Sequence, residues 1–329
     1  MRRITYFNNV YIEQYSSVVG PLEKAGPLGK LFDMSVDDLY ANCDNYEHAE
    51  VTLLLESYEF LLRKMENNQF DLCVGGDLMN QIGVSSYFAR ELQVPFIGVY
   101  AACSNSTLAI NVASTYLDNL DNKRALVFTS SHYANAEKQF RFPNEYGIQK
   151  KETVTTTVTG AGCISLCNQM QKIKVVCGII GEVVDALETD ANDMGSAMVM
   201  ACYTTITQFF AESKITYNEI DHIFTGDLSS IGKELLIKML LPIYPNITTK
   251  LEDCGTLIYD IDKQEVFAGG SGCACSMCTL NAYIIPKLLK GEYKKVLVVA
   301  TGALLNPIMI QQKESIPCVA HGILLERCI

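Results

Sequence analysis

The pattern of hydrophobic and polar residues in the first half of the chain predicts helices that alternate with strands. Residues 45–65 carry leucines at helical spacing, and residues 104–120 show a second helical pattern. Short apolar runs bounded by glycine or proline are typical of buried strands, and they occupy residues 71–74, 94–100 and 124–129. Cys103 is therefore predicted to lie where a strand turns into a helix.

The second half predicts the same kind of succession. Helical patterns cover residues 194–213, 235–240 and 286–289, and apolar strand patterns cover residues 222–225, 296–300 and 322–325. Strands and helices that alternate in this way imply mainly parallel sheets, buried on both faces. We therefore predict an α/β protein in which two units, residues 1–170 and 171–329, pack as a layered sandwich.

Three short sequences occur twice in the same order, which indicates a duplicated unit. The sequence Ala-Cys-Ser-x-x-Thr-Leu stands at residues 102–108 and again at residues 274–280. Gly-Asp-Leu ends both residues 71–78 and residues 221–228. A basic pair followed by an apolar run begins at Lys123 and again at Lys294. Whatever differs between the two copies is then a candidate for function.

Composition excludes some function classes. Hydrophobic residues make up 49% of the chain and charged residues 19%, as expected of a folded globular protein. The net charge of −11 argues against general nucleic-acid binding, because phosphate contacts need clustered lysine and arginine. The same charge disfavours contact with anionic lipid headgroups.

Thirteen cysteines in a chain of this size, an odd number with no signal peptide before them, are expected to be reduced cytosolic thiols. The longest apolar stretches, such as residues 296–305, fall short of the roughly 20 residues that span a bilayer. Membrane association would then depend on a partner. Cys273-x-Cys275-x-x-Cys278 lacks a second ligand pair, so we predict close packing there and no metal or cofactor.

Cys103 is the sharpest candidate for chemistry. A thiol at a helix N-terminus faces the positive end of the helix dipole and loses its proton more easily. The backbone amides that follow Cys103 could also hold a carboxylate. The alternative is a small buried cysteine chosen for its fit, which spacing alone favours.

Two further polar residues follow predicted strands. Asp77, after a glycine pair, could bind a cation or a polar ligand, or it could cap the helix that follows it. His132, after Ser130 and Ser131, could orient a ligand or act as an acid or base. A buried histidine held by hydrogen bonds is the equal alternative.

The irregular stretch at residues 132–159 is long enough to be functional. Within it, Arg141 could clamp a carboxylate with two hydrogen bonds, or it could pair with Glu145. His321 falls in residues 318–322, which are predicted to form a turn before the last strand. That turn could line the same pocket, although a histidine bonded only within the turn is the simpler interpretation.

Several longer stretches match a known family. The duplicated unit with a cysteine at its first central turn resembles the thiolase and ketoacyl-synthase superfamily, whose fold is a layered αβαβα sandwich. Within it, nearly the whole chain is similar to the stage V sporulation protein AD family of spore-forming bacteria. The stretches that carry the resemblance are residues 26–33, 76–81, 130–132, 139–141, 193–198, 267–276 and 310–318.

The chain departs from the enzymes of that superfamily in its second half. Initiating ketoacyl synthases pair their cysteine with a histidine and an asparagine. In our alignment Thr225 falls at the histidine position and Ser271 at the asparagine position. Neither residue supplies an imidazole base or an amide oxyanion donor, so the resemblance predicts no condensation. Cys103 and Cys318 could still imitate a two-cysteine thiolase.

The resemblance implies a protein that binds dipicolinic acid, or its calcium chelate, during uptake into developing spores. It implies membrane proteins of the same sporulation system as partners, a peripheral place on the cytoplasmic side of the forespore inner membrane, and a possible homodimer. Calcium would relieve the conflict between a dianionic ligand and an acidic protein. The expected ligand contacts are Asp77, Cys103, His132, Arg141, Cys318 and His321.

Two other functions stay open at this stage. A condensing or acyl-transfer enzyme would use Cys103 as its nucleophile and would retain an acyl group from a thioester. A structural adaptor would have lost the use of its pocket altogether.

Overall fold

Strands in each half of the chain are longer and more numerous than the apolar runs alone indicate. The computed structural model describes residues 3–118, 120–121, 123–140 and 150–328. Its strands are β1 (Ile4–Tyr6), β2 (Tyr11–Val19), β3 (Met34–Ser35), β4 (Leu72–Gly76), β5 (Phe96–Gly98), β6 (Arg124–Ser131), β7 (Thr156–Thr157), β8 (Gly160–Cys167), β9 (Ile173–Ile179), β10 (Val184–Asp185), β11 (His222–Thr225), β12 (Leu251–Asp253), β13 (Gly270–Ser271), β14 (Lys295–Ala303) and β15 (Pro317–Arg327).

The same strand order occurs twice. In the first half the order across the sheet is β5-β4-β6-β8-β2, and in the second half it is β12-β11-β14-β15-β9. In both halves the first three strands of that order are parallel, and the last two are antiparallel to their neighbours. The prediction of mainly parallel sheets is therefore wrong for β2, β8, β9 and β15. Serines, glycines and cysteines in β2 and β8 hide these strands from an apolar pattern.

Strands β2 and β9 join the two halves into one sheet. They pair antiparallel over a short stretch, at Tyr11 with Lys174 and at Ile12 with Ile173. Three short strands extend the sheet, because β1 pairs with β9, β10 with β15 and β3 with β2. A separate two-stranded ladder joins β7 to β13, and it lies beside the second cysteine turn.

Helices cover both faces of the sheet and fill its centre. They are α1 (Pro21–Lys24), α2 (Tyr46–Arg63), α3 (Gly83–Leu92), α4 (Asn105–Leu117), α5 (Tyr133–Phe140), α6 (Met194–Glu212), α7 (Ser229–Leu240), α8 (Ile247–Lys250), α9 (Cys254–Ile258), α10 (Cys273–Thr279), α11 (Ile285–Lys290) and α12 (Pro307–Gln311). A π-helical turn, Leu280–Ile284, joins α10 to α11. Within the described residues no helix is long and apolar enough to cross a membrane.

Three hydrophobic clusters define the layers. Helices α2 and α3 pack on the outer face of the first half-sheet, and α6 and α7 pack on the outer face of the second. Helices α4, α10 and α11 lie between the half-sheets, where Ile110 and Met277 are fully buried with strand residues of both halves. The predicted sequence of helix and sheet layers, αβαβα, is confirmed. The two cysteine turns begin the central helices, so both lie at the middle of the molecule.

Several individual elements follow the sequence pattern closely. The helices predicted at residues 45–65, 104–120 and 194–213 are α2, α4 and α6, and the strand predicted at residues 222–225 is β11. Other expectations are wrong. Residues 133–140, predicted to be irregular, form α5, because Ala136 and its neighbours turn a buried face inward. Residues 318–322, predicted to be a turn, lie within β15. Strand β5 is a partly exposed edge strand.

Candidate functional site

Cys103 lies at a tight turn just before α4. The preceding residue, Ala102, has a φ of 48°, a left-handed conformation that is unusual for a residue with a side chain. The Ser104 hydroxyl donates a 2.7 Å hydrogen bond to the carbonyl oxygen of Ala300 in β14, which ties the turn to the second half. Gly302 permits this approach, since a Cβ there would lie 2.2 Å from the carbonyl oxygen of Ala101.

A buried carboxylate from the second half faces the Cys103 thiol. Asp227, just after β11, accepts hydrogen bonds from the hydroxyls of Ser271 (3.0 Å) and Thr301 (2.7 Å) and from the backbone N–H of Gly272 (3.2 Å). The Cys103 thiol interacts electrostatically with the same carboxylate, and its Sγ lies 3.8 Å from the Ser271 Oγ. These groups form one polar network inside the protein.

This network holds Cys103 as a neutral thiol. Burial raises the pKa of Cys103 well above its ordinary value, and the nearby Asp227 carboxylate raises it further. Burial also raises the pKa of Asp227, against the lowering effect of the hydrogen bonds that it accepts. The expectation that the helix dipole activates Cys103 is therefore wrong. Desolvation and repulsion by a buried carboxylate destabilise a thiolate at this position by more than the positive end of a helix dipole stabilises it.

Cys103 borders a small apolar cavity of about 30 Å³. Such a space holds about one water molecule. Aromatic, aliphatic and methionine side chains form most of its wall, and no described arginine, lysine or histidine reaches it. The lining residues are Leu78, Tyr100, Ala102, Cys103, Ala136, Phe140, Thr157, Met194, Ser271, Ala303 and Leu305.

Both carboxylate oxygens of Asp77 accept hydrogen bonds from donors in the first half of the chain. One oxygen accepts the N–H of Met79 at 2.7 Å, and the other accepts both the N–H (2.7 Å) and the hydroxyl (2.6 Å) of Ser85 in α3. These bonds correspond to the capping alternative considered for Asp77. The carboxylate is fully buried and does not line the Cys103 cavity.

The two histidines of the predicted site also bond within the fold. His132 is buried, its Nε2 donates to the Leu39 carbonyl oxygen at 2.8 Å, and its Nδ1 accepts the Ala134 N–H. His321 lies in β15, where its Nδ1 accepts the N–H of Gly181 at 3.2 Å. Burial lowers the pKa of His132, and it lowers that of His321 to about 4. Both imidazoles are therefore neutral near pH 7.

Three other residues singled out in the sequence lie away from the cavity or outside the described chain. Cys318 is buried in β15 and donates from its Sγ to the carbonyl oxygen of Ile316, and burial raises its pKa to about 12. Thr225 donates to Asp253 at 2.7 Å and does not face Cys103. The structure thus places Asp227, two residues later, where the alignment predicts Thr225. Arg141 lies outside the described residues.

Sequence reasoning missed the most important partner of Cys103. Asp227 stands in the second Gly-Asp-Leu repeat, and its correspondence to Asp77 in the first is the sequence signal that points to it. A buried acid in the first half, Glu50, also escaped notice because it lies on a helix that has ordinary amphipathic spacing. Among the described residues no group of three or more His, Cys, Asp or Glu side chains is placed to hold a metal ion.

Comparison with known proteins identifies the family of this chain and its fold. The profile of the family described as Stage V sporulation protein AD matches residues 1–326. Stage V sporulation protein AD of Bacillus subtilis (strain 168) is 44% identical over 320 residues, which cover 97% of this chain and 94% of that protein.

Two solved structures show the fold. The 3-oxoacyl-[acyl-carrier-protein] synthase III of Aquifex aeolicus VF5 matches with a TM-score of 0.61 at 12% identity, over 96% of this chain and 99% of that one. A variant of OleA from Xanthomonas campestris matches with a TM-score of 0.60 at 12% identity, over 98% and 99% of the two chains. These likenesses show a thiolase-like fold.

Proposed function

The chain belongs to the stage V sporulation protein AD family, and we propose that its part in sporulation is to bind dipicolinic acid, without catalysis. The ligand would be the free acid or its calcium chelate, and the Cys103 cavity is the place we propose for it. Family membership supports the role in sporulation. The state of Cys103 is the observation that supports binding over chemistry.

The Asp227 network removes what thioester chemistry needs. A cysteine nucleophile reacts as its thiolate, and burial together with the Asp227 carboxylate raises the pKa of Cys103 and keeps it protonated. An oxyanion that formed beside Cys103 would meet the same buried carboxylate. The single hydroxyl proton of Ser271 is already donated to Asp227, so it does not serve as an oxyanion donor. We therefore expect no ketoacyl-synthase turnover with acetyl and malonyl thioesters.

Charge favours the calcium chelate over the free dianion. Asp227 accepts a hydrogen bond from Ser271, which lines the cavity, and the whole chain has a net charge of −11, so two ligand carboxylates would meet repulsion. Calcium bound to dipicolinate neutralises those carboxylates before the ligand arrives. The cavity of about 30 Å³ is smaller than a pyridine ring with two carboxyl groups, so binding requires its apolar wall to move. Phe140, Met194 and Leu305 are the side chains we expect to move.

Calorimetry with dipicolinate, in the presence and absence of calcium, tests the proposal. We expect Cys103→Ala to weaken binding while the fold stays intact, because the thiol borders the cavity. Cys163→Ala, which removes a fully buried thiol from β8, is the matched control and should bind as the parent does. Equal affinity in the parent and in Cys103→Ala would remove Cys103 from the site. Binding of neither ligand form by the parent would overturn the proposal.

An acyl-transfer enzyme is the second candidate, favoured by a cysteine at a cavity in a fold that it shares with acyl-condensing enzymes. Incubation with acyl-coenzyme A followed by intact-mass measurement distinguishes the two. An acyl adduct that disappears in Cys103→Ala would support the enzyme, and an unmodified mass supports the binding protein.

We further propose that the protein works with membrane proteins of the same sporulation system, on the cytoplasmic side of the forespore inner membrane. It would associate there peripherally, and it would form a homodimer as thiolase-like proteins commonly do. Chemical cross-linking in sporulating cells, followed by fractionation of the membranes, tests the membrane association. Sedimentation velocity of the purified protein tests the dimer.

A further inference from the structure

We propose that an acidic-rimmed apolar groove in the second half binds an apolar segment of a partner protein that is flanked by lysine or arginine. The groove is lined by residues 185, 304–306, 309–310 and 314–317, and we call it the 187/308 groove after the two most exposed apolar residues next to its lining in the chain. It encloses about 190 Å³. The proposal rests on the surface alone and does not depend on dipicolinate binding.

Large apolar side chains stand exposed in this groove or next to it in the chain, since Leu187 follows the lining residue Asp185 by two positions and Ile308 directly precedes the lining residue Met309. Leu187 is 79% exposed, Ile308 is 64% exposed and Met309 is 46% exposed. Met309 lines the groove with Ile310 and Ile316. Single exposed apolar residues are ordinary, but several around one concave surface indicate an interaction site.

Leu187 is held in an unfavourable backbone conformation. Its φ is 61°, in the left-handed region, which costs about 1 kcal/mol or more for a residue with a Cβ. Its N–H donates to an Asp185 carboxylate oxygen at 2.7 Å, and the other Asp185 oxygen accepts the Ser315 hydroxyl at 2.5 Å. The fold thus fixes an exposed leucine in a strained position, and burial of this side chain against a partner would offset that cost.

The backbone keeps the two sides of the groove together. The N–H of Ile316 donates to the Glu188 carbonyl oxygen at 2.8 Å, and β10 pairs with β15 at Asp185 and Pro317. Residues 185–188 therefore lie against the segment that follows α12. These backbone hydrogen bonds hold the apolar side chains of the groove in a fixed arrangement.

The charges at the rim select the partner. Asp185 and Glu314 line the groove and form no salt bridge with any lysine or arginine in the described part of the chain, whereas Glu188, which follows Asp185 by three positions, interacts electrostatically with Lys151. Lys313 is the single base in residues 308–316. An anionic membrane surface would be repelled by this rim, and so would the same acidic rim on a second copy of the chain in a symmetric contact. A segment with apolar side chains between basic residues would pack its apolar side chains into the groove and place its positive charges beside the acidic rim.

The groove also adjoins the candidate ligand cavity. Leu305 lines both of them. An occupant of the 187/308 groove would therefore contact one wall of the Cys103 cavity.

Binding of two labelled helical peptides, followed by fluorescence anisotropy, tests the proposal on the full chain. Both peptides carry leucines along one face; one has lysines at both ends and the other has glutamates. We expect the lysine-flanked peptide alone to bind, with affinity that falls as salt is raised. The double variant Leu187→Ser/Ile308→Ser should weaken binding at least about tenfold, and Glu314→Lys should also weaken it.

Two variants elsewhere on the surface serve as controls. Met170→Ser removes an apolar side chain that is 76% exposed, and Glu66→Lys reverses an exposed charge in the first half. Both should bind the peptide as the parent does, and circular dichroism should show all variants folded. Equal binding by groove and control variants, no binding at all, or equal binding of both peptides would overturn the proposal.

Two other occupants are tested with the same variants. If the parent is a dimer in sedimentation velocity and the groove double variant a monomer, the occupant is a second copy. If the parent binds phosphatidylglycerol vesicles and the double variant does not, the occupant is a membrane. Either result would overturn the proposed partner.

Discussion

Asp77 and Asp227 follow equivalent strands in the two halves, yet they do different things. Asp77 turns back to α3 and satisfies donors of Met79 and Ser85 within the first half. Asp227 turns to the centre of the molecule and accepts hydrogen bonds from Ser271 and Thr301 beside Cys103. One aspartate therefore caps a local turn, and the other adds to the effect of burial in keeping the cysteine neutral.

Each aspartate nevertheless affects a cysteine from the opposite half. Burial raises the pKa of Cys273 well above its ordinary value, and Asp77 raises it further, as Asp227 does for Cys103. The Asn105 side chain bridges the first of these pairs, since it donates to the backbone carbonyl of Asp77 and to the Cys273 sulfur. The candidate site is thus a product of packing between halves, and neither copy of the repeat contains it alone.

Replacing each aspartate by alanine should separate the two roles most strongly. Asp227→Ala leaves two hydroxyls and one backbone N–H without their buried acceptor, and we expect it to lower the free energy of unfolding by about 4 kcal/mol. Asp77→Ala removes a cap but also relieves repulsion of Glu50, so we expect a loss of about 1–2 kcal/mol. Urea unfolding at pH 7 measures both values. Equal losses would show that the two carboxylates are equally structural.

The first half has a second buried acid whose titration can be measured. Burial, followed by repulsion from Asp77, raises the pKa of Glu50 to about 8 from an ordinary value of 4.5. The folded protein therefore binds a proton that the unfolded chain releases, and stability falls as the pH rises from about 4.5 to about 8. Below that window the stabilising contribution is fully present, and above it the contribution is lost.

Glu50→Gln should remove this part of the pH dependence. The neutral amide can still accept the Ser130 hydroxyl, so we expect the variant to be more stable than the parent at pH 8 by about 3 kcal/mol. The two proteins should converge near pH 5. Burial also raises the pKa of Glu23 to about 7, so the slope between pH 7 and pH 8 is the best measure of Glu50. Parallel stability curves for the parent and the variant would contradict a neutral Glu50.

Sequence patterns predicted the fold better than the site. Leucine spacing located α2, and the apolar run at residues 222–225 located β11, because each of these elements buries a regular face. Strands such as β8, with glycine, serine and cysteine packed under helices, carry no such pattern. The partner of Cys103 was missed for a different reason. The contact with Asp227 joins two halves far apart in sequence, and it depends on how the halves pack.

The smallest effect, and the most specific, concerns the reactivity of Cys103. In the parent we expect slow alkylation by iodoacetamide at pH 8, because both burial and Asp227 raise the pKa of the thiol. Asp227→Asn removes the charge while keeping the size, so the rate at Cys103 should rise about tenfold, equivalent to about 1.4 kcal/mol. Peptide mass mapping identifies the modified cysteine, and Cys103→Ala shows the background from the other thiols.

Asp77→Asn is the matched control, and it should leave the rate at Cys103 unchanged because Asp77 lies beside Cys273. If both variants accelerated alkylation equally, access and not charge would limit the reaction, and the contrast between the two aspartates would not extend to chemistry.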